Sequence, residues 1–302
     1  MKRILPPQVE GNRSKMSSAF LHSLSNVPDK LVSLSLSISP NDDPKLESVR
    51  LLDDQEQLLI KSEEDFTKLL KIDPSHKIKV VSIFGNTGEG KSHTLNHTFF
   101  EGKEIFKTSQ YQYSCTIGVW AKYDATLKTI CIDTEGFLGI TKKEHQRTRL
   151  LLKILAISDV IIYRTRSERL PRDMYTFLGG ASRSYKDHFS PALQNFLQKY
   201  EIDKNFLSWG PSVIVFHETR YTCTLNSIAD VKTSPEDLLR ENFSKLDESF
   251  DGFSSLKYIG VANGGGKESF AQLRVAVEKE LESTQVRSPR SPKYVYHTLK
   301  VG

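Results

Sequence analysis

The sequence predicts an α/β fold with a largely parallel sheet and helices on both faces of that sheet. One reason is that apolar runs of strand length alternate with helical patterns from about residue 48 onward, as is typical of such folds. A second reason is a glycine-rich stretch, Gly85 to Ser92, that follows one apolar run and precedes residues able to start a helix. Ligands of this fold class bind at the carboxyl ends of the strands, so functional residues are expected there.

The predicted elements follow one another with short polar connections. Residues 49–53 and 58–60 indicate a hairpin, and a capping box from Ser62 to Asp65 predicts a short helix over 66–71. A buried strand ends at Phe84, and further strands are predicted over 119–124, 128–133, 159–165, 211–219 and 257–262. Helices are predicted over 144–157, 192–200 and 269–282, with one more opening at Ser234.

The composition divides the chain into three parts. Residues 1–46 are rich in Ser, Pro and Asn, which predicts a flexible N-terminal arm. Residues 47–285 carry the alternating strands and helices and form the predicted folded domain. Residues 286–302 begin with a run rich in Arg, Ser and Pro, which predicts a linker-like tail.

The bulk composition bounds the function. The 302 residues are 38% hydrophobic and 26% charged, and no stretch approaches the ~20 apolar residues of a membrane span. A net charge of +5 is too mild to predict a nucleic-acid partner. The cysteines Cys115, Cys131 and Cys223 have no paired or metal-binding spacing, so a reducing, cytoplasmic location is expected. Any membrane contact is then expected to be peripheral or made through a partner.

The glycine-rich stretch has the chemistry of a phosphate-binding loop. Its pattern, Gly85-x-x-x-x-Gly90-Lys91-Ser92, lies where backbone N–H groups can converge on phosphate oxygens. Lys91 supplies a positive charge for the outer phosphates of a nucleoside triphosphate, and the Ser92 hydroxyl is a candidate Mg²⁺ ligand. The predicted nucleotide contacts here are Gly85, Asn86, Thr87, Gly88, Glu89, Gly90, Lys91, Ser92 and His93.

Two later segments supply the other parts of a hydrolytic site. Asp133 ends a predicted strand and starts the run Asp-Thr-Glu-Gly, so it is the candidate carboxylate beside Mg²⁺, and Gly136 can offer its N–H to a γ-phosphate. Thr116 is either a second hydroxyl on Mg²⁺ or an ordinary loop threonine, and spacing alone weighs the two equally. The candidate metal ligands are therefore Ser92, Thr116 and Asp133, and the candidate catalytic residues are Lys91, Thr116, Asp133 and Gly136.

Together these motifs resemble the guanylate-binding-protein and atlastin branch of the dynamin superfamily. The resemblance is carried by the runs GEGKSHTLNHTFF, SCTIGVW, IDTEG and QRTRLLLKILAISDVIIYRT, and it is strongest over 81–185. It implies a phosphate-loop NTPase fold, Mg²⁺ as cofactor, ATP or GTP as substrate, and switch segments around Thr116 and Asp133 to Gly136. It also implies a homodimer that forms in the triphosphate state.

The resemblance bears on membranes as well. Within that branch, the quoted runs resemble NTPase domains that accompany FYVE zinc fingers. Proteins with such domains are associated with phosphatidylinositol 3-phosphate and with endoplasmic-reticulum sites of autophagosome formation. FYVE fingers need many zinc-binding cysteines, and this chain has only three. Contact with endoplasmic-reticulum-derived or phosphoinositide-bearing membranes is therefore expected to be indirect.

The sequence departs from the pattern of that branch in two places, the residues that read the base and one residue of the phosphate loop. Guanine is read there by an Arg-Asp pair after a late strand, where this chain has His217 and Glu218, so both ATP and GTP stay open as substrates. These two residues are either base contacts, with His217 stacking on the purine, or simply polar residues at a strand end. A loop arginine of the guanylate-binding proteins is replaced by Gly88, so slow turnover is expected, with Arg147 or Arg149 as candidate substitutes. The alternative function is a non-catalytic module that uses nucleotide binding only to recruit a partner.

Overall fold

The computed structural model describes residues 48–108, 118–134, 144–191, 210–229, 232–262 and 264–301, apart from residues 54 and 56. The strands in these ranges are β1 Val49–Leu52, β2 Lys79–Phe84, β3 Val119–Asp124, β4 Thr129–Thr134, β5 Val160–Arg166, β6 Ser212–Glu218 and β7 Ser255–Val261. The helices are α1 Glu63–Leu70, α2 Lys91–Phe99, α3 Glu144–Ile157, α4 Arg172–Ser184, α5 Pro235–Lys245, α6 Lys267–Glu282 and α7 Pro292–Val301. A π-helical turn, Tyr185–Phe189, continues α4, and a 3₁₀ turn, Leu225–Ser227, follows β6.

All the described strands belong to one sheet, in the order β1-β3-β4-β2-β5-β6-β7. Strands β4, β2, β5, β6 and β7 run parallel to one another, while β3 is antiparallel to both β4 and β1. The predicted α/β fold with a largely parallel sheet is therefore confirmed. Because the parallel strands end at one edge, the residues that follow β2, β4, β5 and β6 come together there.

The sheet is covered on both faces because successive side chains of a strand point to opposite sides. On β2, Val80 and Phe84 belong to a core that includes residues of α1, α3, α4, α5 and α7. Val81 and Ile83 belong to a second core with residues of α2 and α6. All six residues of β2 are buried, so apolar residues face both sides of the sheet and do not alternate with exposed polar ones.

The N-terminal elements follow the predicted capping and pairing. The Ser62 hydroxyl accepts a hydrogen bond from the Asp65 N–H at 3.0 Å, and α1 begins directly after this cap. Phe66 and Leu70 are buried on the inner face of α1. The predicted hairpin is present as a short antiparallel return, in which the Leu59 N–H donates to the Leu51 carbonyl at 2.9 Å.

Helix α4 has no counterpart among the predicted elements. Its sequence contains adjacent glycines, Gly179 and Gly180, which weaken any helical pattern. The structure explains the first of them, because a Cβ at Gly179 would overlap the side chain of Glu248. That carboxylate also accepts from Arg183 of α4 at 2.6 Å, so the glycine lets the segment before β7 pack close to the helix.

The segment after α6 corrects the prediction of a linker-like tail. Residues 292–301 form α7, which packs on α1 and α3. Before it, the buried guanidinium groups of Arg287 and Arg290 pair with Asp159, which is fully buried at the start of β5. The composition was misleading because these two arginines, which are usually exposed, are inside the fold and have a counter-ion there.

Parts of the prediction fall outside the described residues. These parts are the N-terminal arm, residues 1–46, and the helix predicted over 192–200. The remaining predicted strands and helices are present, and their ends agree with the prediction to within three residues. Within the described ranges, no helix has the length and apolar character needed to cross a membrane.

Candidate nucleotide-binding site

The loop between β2 and α2 has the backbone of a phosphate loop. Gly85, Gly88 and Gly90 have φ values of +143°, +83° and +78°, which side-chain-bearing residues rarely adopt. Gly90 stands at the N-cap of α2 and, as a glycine, has no side chain that could cap the first turn of that helix. The first N–H groups of α2 therefore face the loop, where a helix N-terminus favours an anion.

The side chains that follow the loop converge on the end of β4. The Ser92 hydroxyl donates to Asp133 Oδ2 at 2.6 Å, so the two predicted Mg²⁺ ligands are adjacent. Lys91 is only 7% exposed, and its ammonium group donates to the carbonyl of Asn86 within the loop at 3.0 Å. The neighbouring Thr134 hydroxyl donates to the Ile83 carbonyl at 2.7 Å and fixes the end of β4 against β2. The structure thus assembles Lys91, Ser92 and Asp133 at one place.

These residues fit Mg²⁺ and a polyphosphate chemically. Mg²⁺ prefers oxygen ligands and keeps several waters, so one hydroxyl, one carboxylate and phosphate oxygens form a suitable set. Among the described residues no cluster of three or more His, Cys, Asp or Glu side chains can hold a metal by itself. The Thr87 hydroxyl is buried and has no hydrogen-bond partner among the described residues, and the space beside Gly88 is open. The loop therefore offers both a polar group and room for a phosphate.

Two glycine substitutions provide a first test of this loop. In Gly85→Ala, the added Cβ would overlap the carbonyl oxygen of Arg164, whereas in Gly88→Ala it would meet nothing within 4 Å. Both variants carry the strain of a positive φ, so the overlap alone makes Gly85→Ala less stable than Gly88→Ala by about 1–3 kcal/mol. Urea unfolding midpoints of the two variants measure this difference. Equal midpoints would show that β5 is not packed against the loop as described.

A charged cavity of about 480 Å³ lies beside the loop. Its lining combines loop residues with residues at or just after the ends of β5 and β6, namely Thr87, Gly88, Glu89, Arg166, Glu168, Glu218 and Arg220. The Glu89 carboxylate accepts from the backbone N–H of Arg166, which ties the loop to the end of β5. Burial raises the pKa of Glu89, and the nearby cations Arg164 and Lys91 oppose this shift.

Glu218 is the centre of an ion-pair cluster in this cavity. One of its oxygens pairs with the Arg164 guanidinium, and the other lies 3.3 Å from Nε of Arg166. Arg164 is 3% exposed and its guanidinium stacks 4.6 Å from the centre of the Phe216 ring. The register of β5 and β6, which pairs Arg166 with Glu218, brings these side chains together. A buried guanidinium needs such a counter-ion, so Glu218 has a structural role before any contact with ligand.

His217 does not fit the stacking role that the sequence predicts. The residue is 3% exposed, and it borders a second cavity rather than the one beside the loop. Its Nε2 lies 2.7 Å from the Ser167 carbonyl, which can only accept, and its Nδ1 lies 2.8 Å from the Tyr258 hydroxyl. Burial lowers the pKa of His217, so the neutral ring donates through Nε2 and accepts through Nδ1. His217 therefore braces the ends of β6 and β7 and does not reach the loop.

His93, the last predicted contact of the loop, is exposed on α2. Its ring lies against that of His97, with the ring centres 4.0 Å apart and the ring planes tilted by 38°. Asn86, also predicted to contact nucleotide, donates through Nδ2 to Asp173 at 3.2 Å and so links the loop to α4. Thr116 and Gly136 lie outside the described residues, and so do the side chains of Arg147 and Arg149.

Sequence reasoning missed the arginine side of the site. Arg164, Arg166 and Arg220 belong to or follow strands other than β2, and about 50 to 80 residues separate them from their partners in the site. Only the strand order places β5 and β6 beside the loop. The one available signal was the cluster of charged residues just after two buried strands, which is where ligands of this fold class bind.

The chain has relatives among curated proteins of several species. No protein-family model matches the chain. Zinc finger FYVE domain-containing protein 1 is 48% identical over 256 residues in the human form and over 253 residues in the mouse form. The two matches cover 85% and 84% of this chain, but only 33% and 32% of those proteins. Protein SEY1 homolog 1 of Paramecium tetraurelia is 29% identical over 94 residues, which is 30% of this chain and 12% of that protein.

Among solved structures, the similarity is much lower. Toc33 from Arabidopsis thaliana has a TM-score of 0.40 at 15% identity, covering 76% of this chain and 93% of that one. Era from Aquifex aeolicus has a TM-score of 0.36 at 18% identity, covering 70% and 62% of the two chains. At these scores the similarities say nothing about what this chain binds.

The match to zinc finger FYVE domain-containing protein 1 is long enough to show which part of this chain the two proteins share. Since it takes in 85% of the chain, the match includes the phosphate loop and the strands on either side of it. It spans about a third of the relative, so the match concerns this domain and not the whole of that protein. The chain is a homologue of zinc finger FYVE domain-containing protein 1 over an α/β phosphate-loop domain.

Proposed function

We propose that this chain is a Mg²⁺-dependent nucleoside triphosphatase that hydrolyses the β–γ phosphate bond. The observation that supports it is the 2.6 Å contact between the Ser92 hydroxyl and Asp133, directly beside the loop that holds Lys91. Catalysis of phosphoryl transfer depends mainly on positioning and on electrostatic stabilisation, and these groups supply both.

Each residue has a defined part in this proposal. The loop and the N-terminus of α2 hold the phosphates, and Lys91 gives up its contact with the Asn86 carbonyl to bind the outer phosphates. Ser92 and Asp133 would hold Mg²⁺, which neutralises charge on the β- and γ-phosphates when bound. Thr116 and Gly136 are proposed to close over the γ-phosphate as switch residues. Hydrogen exchange over 108–120 and 134–145 should then differ between a non-hydrolysable triphosphate and a diphosphate.

The base preference is expected to be weak and to lean towards ATP. Guanine is read by a carboxylate that accepts from its N1 and N2 donors, and both oxygens of Glu218 already face guanidinium groups. We expect the dissociation constants for ATP and GTP to differ by less than ~100-fold, which corresponds to about 2.7 kcal/mol. Calorimetric titration with ATP, GTP and their diphosphates in the presence of Mg²⁺ measures this. A GTP preference above that limit would assign guanine recognition to Glu218.

Turnover separates the proposal from the alternative of a non-catalytic recruitment module. With glycine at position 88, the loop carries no arginine to stabilise charge at the β–γ bridge, so the isolated domain should be slow. Phosphate release under saturating Mg²⁺ and nucleotide should still exceed that of a Lys91→Ala control. If binding is normal and no release above the control is found, the recruitment module is the better description.

The proposed setting follows from the resemblance and from the name of the relative. The domain should form a homodimer in the triphosphate state and act near endoplasmic-reticulum-derived or phosphoinositide-bearing membranes. A single-turnover rate that rises with protein concentration would support dimer formation. Arg147→Ala or Arg149→Ala would then lower that rate, with nucleotide affinity intact, if either residue acts across the dimer.

A further inference from the structure

We propose that Arg166 binds the nucleotide phosphates from the β5 side of the loop and that Glu218 positions it. This inference rests on the proposed nucleotide site and adds a residue to it. The juxtaposition that carries it is an arginine side chain lying along the phosphate loop, with its Nε turned to a carboxylate on the neighbouring strand.

Arg166 lies in contact distance of the loop. A Cβ built on Gly90 would be 3.8 Å from Cδ of Arg166 and 4.0 Å from its Nη1. Gly90 is the residue before Lys91 and the cap of α2, so the guanidinium stands next to the positive end of that helix. Unlike the buried Arg164, the Arg166 side chain is 40% exposed and lines the cavity beside the loop. An anion held by the loop would therefore meet this guanidinium.

The N–H groups at the end of the Arg166 guanidinium are available to bind an anion. Its Nε lies 3.3 Å from a Glu218 oxygen, so this side of the guanidinium is turned towards the carboxylate. Within the described part of the chain, its two terminal nitrogens have no hydrogen-bond acceptor. Its backbone N–H is held by Glu89 of the loop, so the main chain is fixed as well. A planar guanidinium held in this way presents two parallel donors, the geometry that suits phosphate oxygens.

The acids that share the cavity are already engaged by the protein. Glu89 accepts from the Arg166 N–H, and Glu218 lies between Arg164 and Arg166. Glu168 accepts from the backbone N–H groups of Arg220, Tyr221 and Thr222 at 3.1, 3.0 and 2.9 Å. The charged lining groups left to meet a ligand are therefore the side chains of Arg166 and Arg220. This charge pattern favours a polyphosphate over a base that offers hydrogen-bond donors.

The first experiment compares three ligands that share phosphates but not a base. Binding of Mg²⁺ with ATP, GTP or inorganic tripolyphosphate is measured by competition against a fluorescent nucleotide. We expect Arg166→Ala to weaken all three by a similar factor of about 10- to 100-fold, because a hydrogen bond to a charged group is lost. Arg166→Lys keeps the charge without the fork and should recover part of the loss. Arg240→Ala on the exposed face of α5 serves as the control and should change none of the three.

The results for Arg166→Ala and Lys91→Ala separate a failure of the Arg166 assignment from a failure of the whole nucleotide site. If Arg166→Ala leaves all three affinities unchanged, or weakens ATP and GTP while sparing tripolyphosphate, Arg166 does not bind phosphate and the inference is overturned. If Lys91→Ala also has no effect on any ligand, the proposed nucleotide site fails as a whole. A loss for all three ligands in a variant with an unchanged melting temperature supports the assignment.

A second variant tests the role of Glu218. Glu218→Asp keeps the negative charge that the buried Arg164 requires, but it shortens the carboxylate that orients Arg166. If Glu218 is a positioning residue, the affinities for ATP and GTP should change by the same factor, within about threefold of each other. A selective gain or loss of GTP would instead make Glu218 a base contact.

Discussion

Replacing Lys91 by alanine is expected to weaken nucleoside triphosphate binding by about 2–4 kcal/mol, or roughly 30- to 1,000-fold. The reason is that Lys91 is 7% exposed beside the loop, so its charge interacts with phosphate where water screens poorly. The fold should survive, because the ammonium group contacts the Asn86 carbonyl at the ligand side and not the apolar core. Calorimetric titration with Mg²⁺ and ATP, together with a thermal melt, measures both effects.

The control for this variant is Lys77→Ala. Lys77 is exposed just before β2, so its removal changes the net charge equally but leaves the loop intact. We expect its affinity for nucleotide to stay within about twofold of the original, since exposed charges at a distance are screened by salt. A folded Lys91→Ala protein that binds as well as Lys77→Ala would disprove the assignment of the loop.

Replacing Asp159 by alanine is expected to destabilise the domain by about 3–5 kcal/mol. The Asp159 carboxylate is fully buried and accepts from Arg290 Nη1 at 2.7 and 2.8 Å and from the Val80 N–H at 2.7 Å. Its removal leaves Arg287 and Arg290 as buried cations without their counter-ion. For a domain of this size, the loss corresponds to a fall in melting temperature of about 6–20 °C.

The matched control is Asp251→Ala, which removes an exposed aspartate from a turn. Its effect should be within about 0.5 kcal/mol of zero. A double variant, Asp159→Ala with Arg290→Met, should recover part of the lost stability because one buried cation is also removed. If Asp159→Ala melts at the same temperature as Asp251→Ala, the buried ion pairs contribute nothing and residues 287–290 are not held as described.

Local chemistry was sufficient to predict much of this fold and part of its site. Strands β2 and β5 are recognisable because each contains a run rich in apolar residues, and α3 was predicted with the same ends that it has in the structure. Lys91, Ser92 and Asp133 were predicted to act together, because the loop pattern and a strand-ending aspartate have fixed positions in this fold class. The structure places these three side chains together.

The remainder depends on contacts that no local pattern contains. The pairing of Arg164 and Arg166 with Glu218 requires that β5 and β6 be neighbours in a known register. His217 differs from Glu218 in burial because successive residues of a strand point to opposite faces, and the sequence does not say which face holds the ligand. The sequence around Arg287 and Arg290 has the composition of a linker. Only their ion pairs with the distant Asp159 show that these arginines are inside the fold.

The position of Arg290 also has a consequence for folding during synthesis. The residue lies 131 positions after Asp159, and its backbone pairs with Ile78, still earlier in the chain. At about 5–20 residues per second, roughly 7–26 s separate the synthesis of the two partners. Until then the Asp159 carboxylate lacks the two guanidinium groups, Arg287 and Arg290, that pair with it in the folded domain. The full stability that this buried ion pair gives to the start of β5 is therefore reached only after residues 287–290 have left the ribosome.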